Sequence, residues 1–218
     1  MEHFLAKNLP FWNMLNEHQQ EMLIKNTTMN KLPKGAAMFY DAQNCSGVQL
    51  MKSGQVRVFI ASPNGGQITL YRLVENDICV MSAACMIQNI DFEIHVEVEK
   101  DSEIYLIPKI TYTKISNECH AVKDFTLELV SSRFSDVMWV VNHLVFSGMG
   151  KRLALTLLEH SQIEKSNILT LTHDDIAKDL GTAREVVSRL LKQFQLDGIV
   201  KLSRGKIEIL DSEKLGRI

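Results

Sequence analysis

No two cysteines in this chain of 218 residues stand at CxxC spacing. Cys45, Cys79, Cys85 and Cys119 are scattered. That excludes a ribbon-type zinc site and a disulfide framework, and reads as reduced thiols in a cytoplasmic protein. No apolar run reaches the length that spans a bilayer and no secretory signal is present, so a membrane is not an expected partner. A nucleophile elbow, a phosphate loop and a metal-spaced cluster are also missing, so neither catalysis nor a metal site is expected. Charge of one sign is lacking too: 24 Lys+Arg stand against 26 Asp+Glu, net −2. That excludes a protein that holds polyanions by bulk charge. The balance is uneven, however. Residues 1–146 carry 12 Lys+Arg and 16 Asp+Glu, whereas residues 147–218 carry 12 and 10. Any affinity for nucleic acid must therefore come from individually placed contacts. Internal repeats and low-complexity segments are absent.

What is present is concentrated in "LTHDDIAKDLGTAREVVSRLLKQF", residues 171–194. Thr172 with Asp175 three residues on, and Thr182 with Glu185, each fit a hydroxyl-capped helix start. Gly181 lies between them, where a helix end needs a residue tolerant of positive φ. The pattern predicts helix, tight turn, helix, with small Ala177 at the close approach. At about 100° per residue, Val187, Leu190, Leu191 and Phe194 form one apolar face, and Arg184, Glu185, Ser188, Arg189 and Lys192 fall on the opposite arc. Such an arc is either a solvated face on a core helix or the reading face of a helix-turn-helix that enters the DNA major groove. The next residues favour the second. "IVKL" and "KIEI" are short strand patterns joined through Ser203-Arg204-Gly205, a hairpin with a basic tip. Helix-turn-helix plus hairpin is a winged helix.

The N-terminal part has a different texture. Asn16-Glu17-His18-Gln19 opens a short helix by the same capping logic. Short strands cut by turns follow, from about residue 29 to residue 107. Pro33-Lys34-Gly35 reads as one turn, Ser53-Gly54 as another, and Asn64-Gly65-Gly66 as a hairpin. "FEIHVEVE" alternates, and "SEIYLIP" follows it as a further strand. This predicts an antiparallel sandwich or jelly roll. A long helix is expected over about residues 121–146. Its Leu127, Val130, Phe134, Val137, Val141 and Leu144 are spaced 3, 4, 3, 4, 3, a heptad seam. The seam packs either on the chain's own sheet or on a second copy. Trp139, Met138 and Val140 widen the stripe enough for both, and dimerisation is the favoured reading. Ser147-Gly148-Met149-Gly150 then breaks the pattern before "KRLALTLLEH" resumes helix, which suggests a hinge and a domain boundary.

β-roll, long helix, glycine break and winged helix, in that order, resemble the Crp/Fnr family of bacterial transcription regulators. "LVFSGMGKRLALTLLE" is similar to the family's hinge and first DNA-domain helix, and residues 171–211 closely resemble its helix-turn-helix and wing. The resemblance covers essentially the whole chain and is strongest in the C-terminal third. It implies an α+β fold: an N-terminal antiparallel β-roll (jelly roll, cupin-like) with a long dimerisation helix, residues 1–146, senses an effector. A C-terminal winged helix-turn-helix, residues 147–218, binds double-stranded DNA. It also implies a homodimer, with RNA polymerase as a further partner. In the family an arginine, the next residue and an arginine four positions later read bases; Arg184, Glu185 and Arg189 match those positions. Arginine suits guanine O6/N7 and glutamate accepts from cytosine N4. Ser188 is similar to a position touching base or backbone. Thr172, Thr182, Lys201, Arg204 and Lys206 are the implied backbone contacts.

The sensory half departs from the family's cyclic-nucleotide binders. Val80-Met81 stand where those carry Gly-Glu, and Phe92-Glu93 where they carry Arg-Ser, so an anionic phosphate would meet no guanidinium and an added carboxylate. Cyclic AMP is not the expected effector. No cysteine precedes Cys45, which argues against the family's iron–sulfur cluster, and His95 on an alternating strand reads as a surface histidine rather than a haem ligand. What remains is a candidate effector pocket of Cys79, Met81, Cys85, Met86 and Phe92, suited to a small apolar or aromatic effector, against which stands ordinary core packing. Cys79 and Cys85 as a redox pair is a weaker alternative. The reading is a homodimeric, sequence-specific DNA-binding regulator under an unidentified small-molecule or redox signal. Its alternative is a sensor acting mainly through protein contacts with vestigial DNA binding.

Overall fold

The computed structural model describes residues 1–40, 47–79 and 94–218. Helix α1 (Glu2–Asn8), a 3-10 turn (Trp12–Met14) and α2 (Glu17–Asn26) come first. The start of α2 is the capping box expected there: Asn16 Oδ1 accepts from the Gln19 amide, and the Gln19 side chain accepts from the Asn16 amide. Among the described residues, the strands β1 (Thr28–Leu32), β2 (Ala37–Tyr40), β3 (Gly47–Ala61), β4 (Gln67–Leu73), β5 (Ile78–Cys79) and β6 (Ile94–Pro108) make a six-stranded sheet. Its path is β1-β6-β3-β4, with β2 also on β6 and β5 on β3. β6 runs antiparallel to β1, β2 and β3.

Two segments of the sheet differ from the pattern their sequence predicts. Ser53-Gly54 is not a turn between two strands. β3 runs unbroken through it over 15 residues, with register shifts against β6 between Met51 and Val56. Gly54 sits at φ +93, and a Cβ there would fall 2.2 Å from Ser102 Oγ and 2.5 Å from the Asp101 carbonyl. Only glycine lets the two backbones approach so closely, which makes this a bulge rather than a reversal. Likewise "SEIYLIP" is not a separate strand: it completes β6, itself 15 residues long.

Alternation along β6 decides which side is core. Ile94, Val96, Val98 and Ile104 are buried with Val56, Val58, Tyr71, Leu73 and Cys79. The residues between them meet charge: Arg57 donates to Glu97 at 2.8 Å, and Arg72 and Gln55 donate to Glu99 at 3.0 and 2.7 Å. Arg57 and Arg72 are almost fully buried, so these pairings offset a desolvation that would otherwise be costly. A second apolar cluster joins Leu5, Leu9, Phe11 and Leu23 of the N-terminal helices to Leu50 and Ile107 of the sheet. It also takes in Tyr112 of α3 (Lys109–Glu118) and Val122 of α4 (His120–Phe146).

Beyond α4 come α5 (Met149–Glu164), β7 (Ile168–Leu169), α6 (His173–Leu180), α7 (Arg184–Leu196), β8 (Val200–Ser203), β9 (Lys206–Ile209) and α8 (Ser212–Gly216). The three short strands form a sheet of order β7-β9-β8, antiparallel throughout. A third core closes this part, with Leu153, Leu157, Leu169, Ile176, Val187, Leu191 and Ile207 all at most 2 % exposed. Each such aliphatic side chain contributes about 1.5–3 kcal/mol by leaving water. The chain divides into two compact units. One holds Met1–Phe59 and Leu70–Val137, and the other holds Ile60–Thr69 and Met138–Ile218. The glycine break at residues 147–148 thus lies inside the second unit, between α4 and α5. Among the described residues, no helix is long and apolar enough to cross a membrane.

Candidate nucleic-acid interface

Local chemistry positions the two helices at residues 173–196. Thr172 Oγ1 accepts from the Asp175 amide, and Asp175 Oδ2 accepts from both the amide and the hydroxyl of Thr172. Thr172 therefore spends its hydroxyl and its amide on starting α6. Gly181 ends that helix in the left-handed region, at φ 63 and ψ 40. The Thr182 amide donates to the Ala177 carbonyl at 3.0 Å and the Gly181 amide to Lys178 at 3.4 Å, a Schellman closure. This overturns the expected second cap. Thr182 closes α6 instead of opening α7, whose N-cap is Ala183 with no side-chain cap. No side chain caps the start of α7, whose Val186 amide donates to the Ala183 carbonyl, and Thr182 stands beside this helix start, an arrangement that suits an anion.

α7 buries Val187, Leu191 and Phe194, with Leu190 packed at the margin of the same core. Arg184, Glu185, Arg189 and Lys192 stand on the opposite arc, as the spacing predicted. Two of the reading candidates already have partners from α6. Arg184 Nη1 lies 3.3 Å from Asp174 Oδ2, with both side chains more than half exposed. Ser188 Oγ lies 2.7 Å from His173 Nδ1. On the hairpin, Lys201 faces Glu208 across the β8–β9 pair at 3.8 Å. Arg204 and Lys206 are exposed at the tip, where Gly205 adopts φ +70. Arg189, Lys192, Arg204 and Lys206 make no ion pair among the described residues.

One polar cluster under this surface had no signal in the sequence. His160 of α5 and Asp179 of α6 are both under a tenth exposed, and Nε2 lies 3.0 Å from Oδ2. Asp179 Oδ1 also accepts from the Thr69 hydroxyl at 2.6 Å. Thr69 belongs to the tip of the β3–β4 hairpin, Ile60–Thr69, which clusters with this unit. Its neighbour Ile68 sits against Gly181, 2.7 Å from where a Cβ would stand. Arg152 donates to the Leu180 carbonyl at the end of α6. Asp179→Ala is expected to lower stability by about 2–4 kcal/mol, because it removes at once the carboxylate that pairs with a buried imidazole and accepts from the Thr69 hydroxyl. Asp179→Asn, which keeps an acceptor, is expected to cost less than half of that. Equal shifts of the denaturation midpoint for the two variants would show that Asp179 is not the hub of this cluster.

Residues 151–218 match the Crp-like helix-turn-helix domain family. A crystal structure of a transcriptional regulator of the Crp/Fnr family from Eubacterium rectale is 43% identical. It covers 97% of this chain and 100% of its own, with a TM-score of 0.89. The chain belongs to the Crp/Fnr family. It is a DNA-binding transcription regulator of that type. The cyclic AMP receptor protein of Thermus thermophilus is 22% identical over 97% of both chains. The fumarate and nitrate reduction regulatory protein of Yersinia pestis is 26% identical over 96% of this chain and 85% of that one.

Of the effector pocket expected in the β-roll, Met81, Cys85, Met86 and Phe92 lie outside the described residues, as do Val80 and Glu93. Cys79 is described, buried in the β-roll core and outside any disulfide. His95 stacks on Phe59 at 5.1 Å between ring centroids. The expected dimer seam lies along α4. Leu127, Phe134 and Val141 are exposed by 67%, 65% and 42%, while Val130, Val137 and Leu144 are half-buried.

Proposed function

We propose that this regulator binds a two-fold operator as a homodimer joined along α4. Arg184, Glu185, Ser188 and Arg189 read base edges in the major groove. Thr182, the amides at the start of α7 and the wing residues Lys201, Arg204 and Lys206 hold phosphates. Thr172 supports this surface by shaping α6, its own donors being used. The observation that carries the reading is the polar arc of α7 directly opposite the apolar face that buries Val187, Leu191 and Phe194. The Arg184–Asp174 pair is solvent-exposed and worth at most about 1 kcal/mol, so it opens readily toward a guanine.

The signal enters through the β-roll and biases the DNA-binding arrangement, which a ligand does only by binding its two states unequally. Cyclic AMP is not that signal, because Phe92-Glu93 offers no cation where the binders carry an arginine. The test is selection of bound sequences from a random duplex pool. The expected result is an enriched inverted repeat with half-sites about one helical turn apart. Binding that stays sequence-blind, with a steep salt dependence, would sink the reading in favour of a sensor with vestigial DNA contact.

A further inference from the structure

Two buried polar groups, one in the β-roll and one on α4, have no hydrogen-bond partner among the described residues. Tyr71 of β4 is 7% exposed and lies in the core with Val56, Val58, Leu73 and Cys79. Its Oη is buried and has no hydrogen-bond partner among the described residues. Arg133 of α4 lies over the Tyr71 ring, 5.0 Å from Cζ to the centroid. The Nη1 of Arg133 donates to Asp136 at 2.8 Å, but its Nε is buried and also lacks a partner among those residues. Burial, and then the neighbouring Cys79, push the Tyr71 hydroxyl well above its ordinary pKa, so it stays protonated and remains a donor. Two unused donors thus stand together at the margin of an apolar interior, beside a half-neutralised guanidinium. Native cores pair almost all such groups, so a pair left open marks a place built for an acceptor that arrives from outside.

We propose that Tyr71 and Arg133 form the polar end of an effector site for a small carboxylate with an apolar body. This rests on the β-roll being the sensing half and names the ligand class. The Tyr71 hydroxyl donates to one carboxylate oxygen and Arg133 Nε–H to the other. The aliphatic side chains around Tyr71 take the apolar body. A single negative charge fits because Asp136 already holds one face of the guanidinium, and its carboxylate repels a phosphate dianion. Because Arg133 sits on the same helix as the proposed dimer seam, the bound carboxylate tethers β4 to that helix.

The experiment uses the full-length protein with benzoate and octanoate as probes and benzyl alcohol as the neutral counterpart. At millimolar concentration at least one carboxylate is expected to raise the melting temperature and the alcohol to leave it unchanged. Tyr71→Phe is expected to raise the melting temperature of the ligand-free protein, since it removes a buried hydroxyl that has no partner, and to weaken the carboxylate about tenfold. Arg133→Met is expected to abolish the response. The proposal is overturned by a lower ligand-free melting temperature for Tyr71→Phe, by benzyl alcohol matching the carboxylates, or by no response to either carboxylate. These readings need no DNA. They fail or succeed separately from the operator selection, which needs no ligand.

Discussion

Phe134→Asp is expected to leave the protein monomeric at micromolar concentration and to weaken operator binding by about 10²–10⁴-fold. α4 is 27 residues long, yet only Val122 near its start is buried. Leu127, Phe134, Met138, Trp139, Val141, Val145 and Phe146 all show more than 40% of their surface. A monomer seldom leaves so much contiguous apolar surface in water, and the heptad spacing of Leu127, Phe134 and Val141 is that of a two-helix seam. In the proposed dimer, two-fold symmetry puts Phe134 in the seam of both copies, so aspartate there buries two unpaired charges, each costing several kcal/mol. The monomer itself tolerates the change, because Phe134 is exposed in it. Without the dimer each winged helix meets its half-site alone and loses the effective concentration that the second one supplied. Sedimentation velocity is the direct measurement, with Glu128→Gln, off the seam, as the control that stays dimeric. A Phe134→Asp protein that still sediments as a dimer would place the interface elsewhere.

How much of this was legible in the sequence depended on the range of the interaction responsible. Thr172 with Asp175 and Asn16 with Gln19 were readable because both partners of each cap lie within one turn. Gly181 was readable because its backbone conformation belongs to it alone. The same local logic misplaced Thr182. Thr-x-x-Glu fits a helix start, but the amide of Thr182 is already committed to closing α6 onto Ala177, and the cap position of α7 falls one residue later, on Ala183. Gly54 was misread in a similar way. A glycine after serine signals a turn by composition, whereas here it answers the close approach of Ser102, 48 positions away. Longer separations left no trace at all. His160 pairs with Asp179, Asp179 with Thr69, and Arg133 lies on Tyr71, only because the fold brings separate elements together. The apolar faces of α4 and α7 were legible because periodicity is a property of one helix. What α4 packs on is a property of two surfaces, so its spacing supported both a sheet and a partner.

Arg184→Ala and Arg189→Ala are each expected to lose about 1–3 kcal/mol of discrimination at one base pair per half-site, roughly five- to 150-fold. The two positions lie on the polar arc of α7, Arg184 in its first turn and Arg189 in its second, so in the proposed complex they address different base pairs. Truncation removes a bidentate donor without disturbing Val187, Leu191 or Phe194, which sit on the other side. The loss should therefore be selective: the preferred operator weakens, an operator mutated at the matching base pair does not weaken further, and substitutions elsewhere keep their wild-type penalties. Arg204→Ala provides the contrast. Arg204, exposed at the hairpin tip, is proposed to meet phosphate rather than a base edge, so its removal should weaken every sequence alike. It should also flatten the dependence of log K on log salt by about 0.9 for each phosphate no longer neutralised. Quantitative gel shifts on the operator and its single-base variants, at several salt concentrations, separate the two behaviours. If Arg184→Ala keeps the wild-type pattern of preferences and only shifts the salt slope, Arg184 holds the backbone, and the reading face of α7 begins at Glu185 instead.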